Sequence, residues 1–65
     1  MCESHAYVIR NDQEEKILED VTYIKPEDGI IRLQNLFGQE VIIKGNIEEI
    51  RLMDHKILLR ETDLK

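Results

Sequence analysis

Turn-forming residues punctuate this chain at short intervals, and that spacing limits its possible folds more than any other feature. Arg10-Asn11-Asp12, Pro26-Glu27-Asp28-Gly29, Gly38, Gly45-Asn46 and Asp54-His55 each read as a break. Between the breaks the apolar set is dominated by ten isoleucines and three valines. β-Branched side chains are stiff at χ1 and suit a pleated surface. Several short strands at such spacing predict an all-β fold, a small antiparallel barrel or meander of about six to seven short strands.

The individual strands can be placed with differing sharpness. Residues 2 to 9 alternate, with Cys2, Ser4, Ala6 and Val8 on one face and Glu3, His5, Tyr7 and Ile9 on the other. From Glu14 to Lys25 the pattern allows two readings: Ile17, Leu18 and Val21 fit one helical turn or two short strands. Pro26 to Gly29 reads as a turn, since Pro presets φ and Gly tolerates positive φ. Ile31, Leu33 and Phe37 are expected inward, Arg32 and Gln34 outward, with Gly38 closing a tight hairpin to Val41, Ile42 and Ile43. Asn46 followed by Glu49 resembles a helix capping box, but the alternation of Ile50 and Leu52 with Glu49 and Arg51 favours a strand. Ile57 and Leu59 alternate with Lys56, Leu58 and Arg60 in a last strand, and Thr62 to Lys65 reads as a frayed tail.

A chain of 65 residues forms a single domain, spanning 1–65, and buries only about 60% of its unfolded surface. Domains of that size often rely on a disulfide, a metal or a second subunit. Cys2 is the lone cysteine, so no disulfide forms within one chain, leaving oligomerisation and metal. A single thiol, no signal-peptide pattern and no long apolar run together point to the reducing cytoplasm. The net charge of −5, from 14 acidic and 9 basic residues, opposes nucleic-acid binding, which draws on neutralising phosphates. Trp is absent and Phe37 is the sole Phe, so stacking platforms for single strands are missing too.

Nothing in the pattern suggests catalysis. Ser4, Thr22 and Thr62 sit in no nucleophile elbow, and the three glycines lie in separate turns. Asp12, Glu14, Glu15, Asp20, Glu48 and Glu49 read as a solvated surface. Cys2 is the residue with chemistry. Its thiolate lies beside its own backbone amide and the terminal amine. Loss of Met1, favoured by the small side chain that follows, would place amine and thiolate on one residue as a five-membered chelate. Mixed sulfur and nitrogen donors suit Ni(II) or Cu(II), and binding needs the thiolate, so affinity should rise with pH. One chain lacks enough donors. Two copies about a two-fold axis would supply two thiolates and two sets of nitrogens. The plainer alternative makes Cys2 a small hydrophobe at a strand start. His5 projects opposite to Cys2 on a regular strand and reads as a surface histidine. His55 reads as an exposed turn residue, and Met53 as core or interface.

Four stretches carry a family resemblance: MCESHAYVI at 1–9, ILEDVTYIKPEDG at 17–29, LQNLFGQEVIIKG at 33–45 and IEEIRLMDHKILL at 47–59. They cover nearly the whole chain, the first and third being the most specific. The sequence resembles the CooT family of small nickel-binding accessory proteins for carbon monoxide dehydrogenase. The resemblance implies a compact antiparallel β fold, a homodimer, and one Ni(II) site built from Cys2 of two subunits. It implies a metallochaperone-like role in maturing the enzyme's nickel–iron–sulfur centre, with that enzyme or its other maturation factors as partners and no catalysis of its own. Leu36-Phe37-Gly38 matches as packing and turn rather than ligation. The competing reading is a small β interaction or RNA-binding module with no metal role. Acidity and the absence of stacking aromatics oppose its RNA form.

Overall fold

A computed structural model of the chain describes residues 3–62. Five strands follow one another: β1 (Ser4–Arg10), β2 (Gln13–Glu27), β3 (Ile30–Asn35), β4 (Glu40–Arg51) and β5 (Lys56–Glu61). Each pairs antiparallel with the next, and β5 closes on β1 to form a barrel. In a five-strand meander the first and last strands point the same way, so the closing pair is parallel, from His5↔Lys56 to Ile9↔Arg60.

The all-β expectation holds, but five strands do the work of the six to seven expected. The reason lies in β2 and β4, each of which serves two neighbours in succession. β2 pairs with β1 up to Val21 and with β3 from Val21 onward. β4 pairs with β3 as far as Lys44 and with β5 from Gly45. A straight strand the length of β2 would span roughly 46 Å, yet the molecule's longest extent is 37 Å. β2 must therefore bend. It does so at a bulge around Asp20, whose φ is +55°. This single bent strand replaces both readings of residues 14 to 25.

β4 turns its corner at Gly45, in the middle of the strand rather than in the expected Gly45-Asn46 turn. A Cβ at Gly45 would overlap the Arg60 carbonyl oxygen on β5. Glycine is needed here for close backbone approach. Pro26 also lies within a strand, opposite Ile31. That half of β2 pairs with β3 on one side only, which leaves room for a residue without an N–H. The turn itself is Asp28-Gly29, with Gly29 at φ +73°. Asn11 and Asp12 both take positive φ in the two-residue loop between Arg10 and Gln13, as a primed hairpin turn requires.

The core collects the inward positions of every strand: Ala6 and Val8, Leu18, Ile31 and Leu33, Ile43, Ile57 and Leu59. Ile17, Val21, Ile24, Val41 and Ile47 pack against it, partly buried. Two expectations fail here, and a third is narrowed. Phe37 is 70% exposed, because β3 ends at Asn35 and Phe37 sits in the following loop. Leu58 is buried although it alternates with the inward Ile57 and Leu59 and lies outside their cluster, flanked in register by Tyr7 and Glu49. Met53 is not core; β4 ends at Arg51, and Leu52 and Met53 form an exposed turn. The Asn46–Met53 segment is thus strand through Arg51, with no helix. Thr62 is tied by its N–H to the Lys44 carbonyl at 2.9 Å, and the rest of the expected tail lies outside the described residues. Among the described residues, no helix is long and apolar enough to cross a membrane.

Candidate functional site

Cys2 lies outside the described residues, so the site is built from what surrounds its point of entry. β1 begins at Ser4, opposite Val21 at the bend of β2 and beside the turn that joins β4 to β5. The His5 N–H donates to the His55 carbonyl at 2.9 Å, and the His55 N–H closes its own turn onto the Leu52 carbonyl at 3.2 Å. These bonds stitch the start of β1 to the 52–55 turn.

The His5 ring is already occupied. Its Nδ1 accepts the Asp20 N–H at 3.2 Å, which assigns the ring proton to Nε2. The register between Ser4↔Val21 and Ala6↔Leu18 slips at this point, leaving the Asp20 amide outside the β1–β2 ladder. His5 supplies the missing acceptor, so its part is structural. His55 is exposed, at φ +56°, as expected for a turn residue. No group of three or more His, Cys, Asp or Glu side chains able to hold a metal occurs among the described residues.

Four of the six carboxylates read from the sequence are paired with cations. Glu15 pairs with Arg10, Glu14 with Lys56 at 2.8 Å, Glu48 with Arg60 at 2.8 Å and Glu49 with Arg51 at 3.5 Å. The Arg60 hydrogen bond holds the Glu48 carboxyl below the usual carboxylate range. Lys56 also lies over the Tyr7 ring, 5.0 Å from its centre, a cation–π contact on the outer face.

Sequence reasoning missed Asn35, the one buried polar residue among those described. Its Oδ1 accepts the N–H groups of Phe37 at 3.0 Å and Gln39 at 2.8 Å, and its Nδ2 donates to Gln39 Oε1 at 2.7 Å. Its carbonyl accepts the Gly38 N–H at 3.1 Å. The Leu36 N–H donates to the Asp20 carbonyl at 2.9 Å, linking this loop to the β2 bend. The spacing Asn35-Leu36-Phe37-Gly38, with Asn opening a turn and Gly ending it, was the available signal.

A groove opens where β1 starts. It is lined by Ser4, Val21, Tyr23, Ile24, Ile50 and Leu52, among others. A second cleft lies beside Asn35 and Phe37, lined also by Lys16, Glu19 and Glu40. The first is apolar and adjoins the N-terminal entry. The second is rimmed by charge.

The sequence profile described as CO dehydrogenase accessory protein CooT matches residues 1–60. A crystal structure described as a CooT of Carboxydothermus hydrogenoformans superposes with a TM-score of 0.86 at 40% identity. That match covers 95% of this chain and 100% of the other. Among curated proteins, none shows significant similarity to the chain.

Proposed function

The chain belongs to the CooT family of CO dehydrogenase accessory proteins, and from that premise we propose that it carries Ni(II) for maturation of the enzyme's nickel centre. The ion is cargo, held between Cys2 of one chain and Cys2 of a second, in the cytoplasm. The observation that carries this reading is the shortage of any other donor set. Among the described residues no metal-ligating cluster forms, and the histidine nearest to Cys2 in sequence already spends its Nδ1 on the Asp20 amide. The Cys2 thiolate and neighbouring main-chain nitrogens are the donors that the family resemblance implies, and their chemistry fits a borderline-soft divalent ion. One chain contributes too few of them, so the site is incomplete without its symmetry mate.

Binding displaces the thiol proton, so affinity increases with pH up to the range where the thiol is already ionised. Calorimetry and absorbance titration with Ni(II) test the proposal. One ion per two chains is expected for the wild type, and loss of binding for Cys2→Ser. Undiminished binding by Cys2→Ser, or one ion per chain, would contradict it.

A further inference from the structure

We infer that His5 is a proton-sensitive clasp on the bend of β2, closed while its imidazole is neutral and released when the ring is charged. Asp20 is the pivot of that bend. Its φ of +55° lies in the left-handed region, where a residue other than glycine persists only when its surroundings hold it. Two hydrogen bonds outside the strand ladder do so. The Asp20 N–H donates to His5 Nδ1 at 3.2 Å, and the Asp20 carbonyl accepts the Leu36 N–H at 2.9 Å. Beside it, at Val21, β2 exchanges β1 for β3.

The bond to His5 exists in one protonation state only. A neutral ring with its proton on Nε2 offers Nδ1 as an acceptor, whereas an imidazolium carries an N–H on both nitrogens and accepts at neither. Protonation therefore sets two donors against each other. Histidine is the side chain whose charge ordinarily changes between about pH 5 and 8. His5 and Asp20 are both half-buried, so water reaches the ring. On β2 the charged ring meets two carboxylates, Glu19 and Asp20. The hydrogen bond and charge of Lys16 hold the Glu19 carboxyl below its usual range, and the His5 charge adds a smaller pull. On β5, Lys56 stands opposite His5 in register, with its ammonium on Glu14 at 2.8 Å. In the 52–55 turn are Asp54, paired with Arg51 at 3.7 Å, and the exposed His55, whose carbonyl takes the His5 N–H. Release at Nδ1 frees the Asp20 amide and weakens the hold on Leu36, which leans on the same residue. Leu36 and Phe37, 64% and 70% exposed, form the tip of that loop, so acid loosens the seat of an apolar tip and leaves the core packed.

Amide exchange of the metal-free full chain tests the clasp, followed by NMR from about pH 8 to about pH 5 and expressed relative to the intrinsic rate at each pH. In the wild type, protection at Asp20 and Leu36 should fall roughly tenfold on acidification, as for one lost hydrogen bond, while the core residues Val8 and Leu33 keep theirs. His5→Asn puts a side-chain carbonyl that does not titrate near the place of Nδ1, and should stay protected across the range. It retains every other titratable group of the chain. His5→Ala should be poorly protected throughout, and His55→Asn, which suits a positive φ, should behave like the wild type. Protection that is constant with pH in the wild type overturns the inference, as does a fall of equal size in His5→Asn or its disappearance in His55→Asn. A long-range nitrogen–hydrogen spectrum of the wild-type ring needs no variant. A bare Nδ1 near pH 8 is expected, and a proton on Nδ1 there also overturns the inference.

Discussion

Truncating Asn35 to Ala would leave the N–H groups of Phe37 and Gln39 without their acceptor, at about 2 kcal/mol. Urea unfolding should show that loss, with Asn35→Asp recovering part of it because its carboxylate still accepts. His5→Ala is expected to act more locally. Without the ring, the Asp20 amide loses its partner, and hydrogen exchange should quicken at Asp20 and at Leu36, whose N–H leans on the same bend. Nickel binding should be unchanged by it, because His5 serves the bulge. Gly45→Ala should cost about 2 kcal/mol or more, since the new methyl meets a strand carbonyl that cannot swing away. None of these three roles was legible from residue type alone. His5 and Gly45 depend on contacts between segments distant in sequence, whereas Asn35 bonds within its own loop, and Gly45 in particular looked like a turn glycine.

The strands themselves were readable wherever one face is apolar over a short run. Ala6 and Val8, Ile31 and Leu33, and Ile57 and Leu59 all point inward as their alternation indicated. The reading broke where an element changes partner. At the bulges around Asp20 and between Ile47 and Glu49 the period-two pattern shifts phase, so one long strand looks like two short ones or like a helical turn. Phe37 failed for a related reason, since the pattern does not reveal that β3 stops two residues earlier. Between β4 and β5 the pairing is reinforced by Glu48 and Arg60. Held below its ordinary value by that hydrogen bond, Glu48 stays ionised to lower pH when folded than when unfolded. Its contribution is therefore present above the usual carboxylate range and disappears as pH falls through the lowered value. Glu48→Gln should accordingly flatten the acid side of the stability profile, measured as urea midpoints across the acid range, with little change near neutrality.

At the scale of the whole molecule, a ring of five strands encloses a core of eight aliphatic side chains, each worth about 1.5–3 kcal/mol when fully buried, with alanine less. Such a core is marginal on its own. The sequence resemblance foretold the family, and its fold was recoverable from turns and alternation. The placement of the apolar groove beside the N-terminal entry was not, because Tyr23 and Leu52 are 29 residues apart and meet only when the barrel closes. X-ray absorption at the nickel edge of the loaded wild-type protein examines the shared site most directly. Two sulfur neighbours per nickel are expected, disappearing in Cys2→Ser. A nickel surrounded only by nitrogen and oxygen in the wild type would contradict a cargo site made by paired Cys2 thiolates.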